Sequence, residues 1–222
     1  MVTGMAKSES ESDSDALGEM LATHGIEATY EQVTLLDQYR RLLWSWNERL
    51  NLTRHTTLEK FVVRDVVDSY QLSLLLKRRE RVLDVGTGGG VPGVVLAILR
   101  PDLLVSLCES TQKKARAVEA MVAELGLDVP VFATRAEEVL QINTFDTLLA
   151  RALASLSKVL TWLAPHWEAF DRLLLIKGPG WIEERGEARH RGVLRGLELR
   201  VATTYRTPVT GAENVILSIR RP

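Results

Sequence analysis

The chain has 222 residues, 45% of them hydrophobic, with 28 Lys and Arg against 29 Asp and Glu. That length fits one domain with appendages, and the apolar fraction is enough to bury a sizeable core. A net charge of −1 excludes an indiscriminate polyanion binder, though not a local basic face, and the single cysteine excludes an intramolecular disulfide.

Residues 1–14, MVTGMAKSESESDS, are rich in serine and acids with almost nothing to bury, so a disordered leader is expected there. No apolar stretch of a signal peptide follows the first residues, and no later run approaches a membrane span. A cytoplasmic protein is expected. Residues 15–77 read as an N-terminal helical extension. In TYEQVTLLDQYRRLLWSWNERLN, Val33, Leu36, Tyr39, Leu43 and Trp46 fall on one apolar stripe, with Thr29 and Gln32 placed as a capping box. A second helix is expected over about 64–76. Trp46 is assigned to the core by its place on the stripe, whereas Trp44 is left open for stacking on a base.

From residue 78 the texture changes. RVLDV reads as a strand, PGVVLAIL as a helix, LLVSLCE as a strand and TQKKARAVEAMVAELGL as a helix. VPVFA, FDTLLA and DRLLLIK continue as strands, separated by helices at AEEVL and SLSKVLTWLAPHW. WIEERGEARHRGVL is helical and basic, and LELRVATTYR and ENVILSIRR close the chain as two strands. Alternating strands and helices predict an α/β fold with a doubly wound, mostly parallel sheet over 78–222, and an antiparallel edge from the last two strands.

The first strand ends in LDVGTGGGVPG. Glycines there let a ligand approach the backbone, and the next helix directs N–H groups at the turn. Two registers compete. Gly88 to Gly93 fits G-x-G-x-x-G, the dinucleotide fingerprint. Asp84, Gly86, Gly88 and Gly90 fit D-x-G-x-G-x-G, which resembles the S-adenosylmethionine loop of Rossmann-like methyltransferases. The second register also gives Asp84 a task, at the amino-acid end of the cofactor. Glu109, at the end of the second strand, is placed to accept from both ribose hydroxyls, a feature both cofactor classes share. No cation lies between Asp84 and Gly93 to meet a pyrophosphate, which favours the sulfonium cofactor.

NLTR at 51–54, R-x-x-x-D-S at 64–69, LDVGTGGGVPG, ES-x-x-KK at 109–114, RAEE at 135–138, RALASL at 151–156 and KG at 177–178 occur in that order. Together they resemble the ribosomal small-subunit methyltransferase G family, also called glucose-inhibited division protein B, over about residues 30–220. The resemblance implies a Rossmann-like class I methyltransferase with N-terminal helices. It would use S-adenosylmethionine to methylate N7 of a guanine in the decoding-region loop of 16S rRNA, in the small subunit or its assembly intermediate. It implies cofactor contacts at Gly86, Val91, Ala136, Glu137 and Arg151. The chain departs from the family pattern at Asp65, where histidine is common, at Ala150, where serine is common, and at His55, where an aliphatic residue is usual.

Guanine N7 carries a lone pair at neutral pH and needs no general base. Alignment and exclusion of water then carry catalysis, and Arg151 is expected to orient substrate and cofactor. A hydrogen-bond acceptor near the base would help as its ring gains positive charge. His24, His55, His166 and His190 show no metal-ligand spacing, so no metal is expected. Cys108, in an apolar strand, reads as an inert buried thiol. Arg54, Arg64, Lys113, Lys114, Arg135 and Lys177 are the candidate RNA contacts, with the mixed-charge run from Arg185 to Arg195 the weakest. A monomer is expected. The competing readings are an NAD-dependent oxidoreductase and a non-catalytic ribosome assembly factor.

Overall fold

The computed structural model describes residues 2–208 and 210–222, with side chains from residue 13 on. Helix α1 (Val2–Thr23) crosses the boundary expected at 14/15; the side chains before Asp13 lie outside the described residues. Next to that boundary, Asp13 accepts from Arg40 and Arg41, and Ser14 donates to Asp37. Helix α2 (Tyr30–Leu50) starts at the expected capping box. The Thr29 hydroxyl accepts from Gln32 N at 3.2 Å and the Gln32 carbonyl accepts from Thr29 N at 2.9 Å.

The helix expected from residue 64 begins earlier, because Thr57 caps α3 (Leu58–Lys60) by accepting from Lys60 N. A π-helical stretch, Phe61–Val66, and α4 (Val67–Ser73) follow without a break. The alternating region then runs β1 (Arg81–Val85), α5 (Gly93–Leu99), β2 (Leu104–Cys108), α6 (Gln112–Glu124), β3 (Val131–Phe132), α7 (Ala136–Val139) and β4 (Phe145–Arg151). It continues with α8 (Leu156–Leu163), a 3₁₀ turn, β5 (Phe170–Lys177), α9 (Trp181–His190), β6 (Glu198–Arg206) and β7 (Glu213–Arg220).

The seven strands lie in the order β3-β2-β1-β4-β5-β7-β6. The first five are parallel, β7 pairs antiparallel with β5, and β6 pairs antiparallel with β7. The terminal hairpin therefore folds back with its second strand inward and leaves β6 at the edge. Burial explains this: residues 214–217 of β7 are all buried, whereas Val201 of β6 is 41% exposed.

Each strand feeds two cores by its period-2 alternation. Val82, Leu149 and Leu174 face a core with α1, α2, α4, α5 and α6, whereas Leu83, Leu148 and Leu173 face one with α7 and α8. The helical extension thus shares a core with the sheet: Leu36, Leu43 and Leu72 pack with Val94, Val118 and Met121. Gln32 fixes that layer further by donating to the Ile98 and Leu99 carbonyls, at 3.0 Å each. No helix among the described residues is long and apolar enough to cross a membrane. The carboxyl ends of β1, β2 and β4 open together beside the extension, at the sheet's topological switch point.

Candidate active site

The glycine turn leaves β1 and wraps a buried carboxylate. Asp84 Oδ2 accepts from the Thr87 hydroxyl at 2.6 Å and from Gly93 N at 2.9 Å. Its Oδ1 is buried without a partner. Burial pushes the Asp84 carboxyl up to about 6, against the downward pull of those two hydrogen bonds and of Arg151.

Most of the glycines face the protein itself. A Cβ on Gly93 would lie 2.1 Å from Leu107 Cδ2 of β2, so only glycine lets the helix start touch the strand. Gly90 packs on Val94 and the Tyr39 hydroxyl, which donates to the Gly89 carbonyl at 2.9 Å. Gly90, an expected cofactor contact, is therefore turned toward the helical extension. Nor does α5 offer its N-terminus to a ligand. Gly93 N donates to Asp84, Pro92 has no N–H, and Val94 N donates to the Gly90 carbonyl.

Gly88 is different. It sits at φ +62°, and a Cβ there would meet nothing closer than the Gly86 carbonyl at 3.9 Å. It lines a cleft of about 330 Å³ with Gly86, Val91, Glu109, Ser110, Lys114 and Arg151. Gly88→Ala is expected to cost about 1–2 kcal/mol of stability from the left-handed backbone. The new methyl would project into the cleft, so loss of S-adenosylhomocysteine affinity should far exceed the few-degree fall in Tm. Calorimetry and a thermal melt of the variant check this.

Glu109 crosses the cleft floor. Its Oε2 accepts from Gly88 N at 3.1 Å and its Oε1 from Thr111 N at 2.7 Å, leaving further lone pairs for hydroxyls. Next to it a second cleft, about 370 Å³, shares Gly86, Ser110 and Leu153 with the first. It is walled by Cys108, Arg135, Ala136, Glu137 and the 43%-exposed Trp162. Ala136 and Glu137, expected cofactor contacts, thus line the cleft that adjoins the first. Trp162 has no counterpart among the sequence candidates, because its helix reads only as amphipathic. Cys108 Sγ donates to the Thr134 carbonyl at 3.0 Å, and burial pushes its thiol up to about 12.

The residues fit S-adenosylmethionine. The turn presents two buried carboxylates, an unpartnered Asp84 oxygen and an open cradle at Gly88, and it seals the helix N–H groups that a pyrophosphate would need. A cationic ligand suits that field and a dinucleotide does not.

Arg151 closes the far wall. Its Nη2 donates to Asp65 Oδ1 at 2.8 Å and its Nη1 to the Arg64 carbonyl at 2.9 Å and to Asp68 Oδ2 at 3.3 Å. Burial lowers its proton affinity, but Asp65 and Asp68 outweigh that and hold the guanidinium charged. Asp68 is itself pushed up by burial, against Arg151 and the Tyr205 hydroxyl, which donates to it at 2.6 Å. Arg151 is a strut between β4 and the helical extension, with its donors turned away from solvent phosphate. Lys177 is likewise committed, donating to the Ala154 carbonyl at 2.6 Å and to Glu184 at 2.8 Å. Arg64, half-buried, lines a third cleft on the other side of Arg151. Arg54, Lys113 and Arg135 are exposed around these clefts, and with Lys114 they have no carboxylate partner among the described residues. Trp44 is not free to stack: its ring lies under Arg40 and its N–H donates to the His55 carbonyl.

Comparison with known proteins agrees with this geometry. The family model for rRNA small subunit methyltransferase G matches residues 32–207. The chain is 53% identical over 185 residues to the ribosomal RNA small subunit methyltransferase G of Rhodopirellula baltica, covering 83% of this chain and 80% of that one. It is 39% identical over 168 residues to the Chlorobaculum tepidum protein of the same name, covering 74% and 77%. Among solved structures, a mutant of MtNAS in complex with S-adenosylmethionine superposes with a TM-score of 0.55 at 18% identity, over 94% of this chain and 84% of that one. TrmK of M. capricolum in complex with S-adenosylhomocysteine gives 0.55 at 14% identity, over 69% and 67%. These two share the fold. The chain belongs to the rRNA small subunit methyltransferase G family.

Proposed function

We propose that this protein transfers the methyl group of S-adenosylmethionine to N7 of a guanine in the decoding-region loop of 16S rRNA. The observation that carries the choice of cofactor is the buried Asp84 carboxylate at the start of α5, where a dinucleotide would need free N–H groups. When bound, the cofactor supplies an electrophilic methyl on a sulfonium. Asp84 and Glu109 hold the cationic ligand by charge and hydroxyl contacts, and Gly86 and Gly88 let it lie on the backbone. Ala136 and Glu137 flank the adenine. Arg151 keeps the β4 end and the helical extension in register, so the base and the methyl can be aligned and kept dry. No proton need leave N7, so no general base is required.

An NAD-dependent oxidoreductase is disfavoured by the same sealed helix start. A non-catalytic assembly factor would not need the open cradle at Gly88. Mass mapping of 16S rRNA from cells with and without this protein tests the reading. One guanine should lose a methyl group in its absence, and unchanged methylation would overturn the proposal.

The exposed cations lead RNA recognition. Replacing Arg54 and Lys113, which line neither cofactor cleft, by alanine is expected to raise the RNA KM. The log–log salt slope of binding should become shallower by roughly 1.5, with S-adenosylhomocysteine affinity unchanged. An RNA affinity insensitive to salt in the parent protein would contradict phosphate-led binding.

A further inference from the structure

The third cleft, about 410 Å³, shares Arg151 and Ala152 with the cofactor cleft and includes the His55 ring in its wall. We propose that His55 Nε2 accepts a hydrogen bond from the N–H edge of the base being methylated, and that buried Asp65 sets the ring to accept. This rests on the guanine-N7 methyltransferase reading and assigns the acceptor-base contact within it.

The geometry fixes the ring. His55 Nδ1 lies 2.8 Å from Asp65 Oδ1, and Asp65 is fully buried. The same oxygen accepts from Arg151 Nη2 at 2.8 Å, so it is an acceptor and Nδ1 is the donor facing it. In the neutral ring, Nε2 is then the lone-pair nitrogen. It has no partner among the described residues, while the side chain is 25% exposed into the cleft. The backbone is pinned as well: His55 N donates to the Thr53 hydroxyl and its carbonyl accepts from Trp44 Nε1, both at 2.9 Å.

An acceptor suits this reaction. Methylation at N7 spreads positive charge through guanine and makes N1–H a stronger donor. A hydrogen bond from N1–H therefore tightens toward the transition state, which is the kind of contact that raises kcat. Adenine has no hydrogen at N1, so the same contact selects guanine. The charges around the cleft tolerate the new cation: Arg64, Arg151 and Lys177 are matched by Asp65, Asp68 and Glu184.

Protonation of His55 turns Nε2 into a donor and opposes N1–H. The charged groups around the ring are Asp65, which it contacts, and Arg64, Asp68, Arg151, Lys177 and Glu184, which line the same cleft. The test measures kcat of methyl transfer to small-subunit rRNA for the parent enzyme, His55→Ala and His55→Gln, with S-adenosylhomocysteine affinity as the check on folding. His55→Ala should lower kcat by roughly 10- to 100-fold with that affinity unchanged. His55→Gln, which keeps an acceptor, should recover part of the rate. An unimpaired His55→Ala, or a His55→Gln no faster than His55→Ala, overturns the inference. An active parent enzyme in that case leaves the methyltransferase reading standing. A parent enzyme that transfers no methyl removes both.

Discussion

Replacing Arg151 with Ala is expected to lower the unfolding free energy by about 3–5 kcal/mol and to abolish methyl transfer. The guanidinium is the shared partner of Asp65 and Asp68, and side-chain exposures of 0% and 4% leave those carboxylates no water to turn to. Truncation removes the positive charge from both and leaves Asp65 with His55 and Asp68 with Tyr205. It also cuts the link between β4 and the helical extension that holds the wall common to the cofactor and acceptor clefts. The two effects separate in a second variant. Arg151→Met with Asp65→Asn removes one of the two uncompensated carboxylates and should recover part of the stability in urea melts, without recovering activity. If Arg151→Ala kept parental stability and activity, the guanidinium would be neither strut nor aligning group.

Asp84→Asn should do the opposite to stability. The Asp84 carboxyl titrates at about 6 in the folded chain because it is buried, above the ordinary Asp value of about 3.9 in the unfolded chain. A raised acid contributes its stability below the unfolded value and loses it as pH rises through the folded one. The window is therefore about pH 4 to 6, and the parent protein gives up about 3 kcal/mol across it from this group. Asn has an oxygen for Thr87 and Gly93 and carries no charge, so the variant lacks that loss. Its stability relative to the parent should grow by about that amount between pH 4 and 7. Its affinity for the cationic cofactor should fall in the same range, because the carboxylate that strains the fold is the one proposed to hold the ligand. Denaturant melts at both pH values, with titrations of S-adenosylmethionine, measure the two trends. A variant no more stable at pH 7 than at pH 4, relative to the parent, would contradict the burial of a charged Asp84.

What could be read from the chain was local. The Thr29–Gln32 capping box and the strand–glycine–helix turn lie within short windows whose chemistry is carried by spacing, and the structure places them as read; Glu109 follows β2 and accepts from Gly88 N. Contacts between distant segments were not legible. Arg151 meets Asp65 and Asp68 across 86 and 83 residues, partners that no local spacing announces. Gly90 packs against Val94 and against Tyr39, which lies far upstream on α2. The terminal hairpin was legible as two strands, but which of them pairs with β5 depends on their relative burial. His55 and Asp65 each depart from the family pattern, and taken singly neither departure has a meaning. Their separation of 2.8 Å in space makes them one feature.

The most direct test is to titrate S-adenosylhomocysteine and, separately, NAD into the purified protein by calorimetry. Saturable uptake of the first alone, weakened roughly tenfold or more by Glu109→Ala and by Gly88→Ala, is the expected result. Uptake of NAD instead, or a S-adenosylhomocysteine affinity indifferent to both substitutions, would contradict a sulfonium donor seated on the turn after β1.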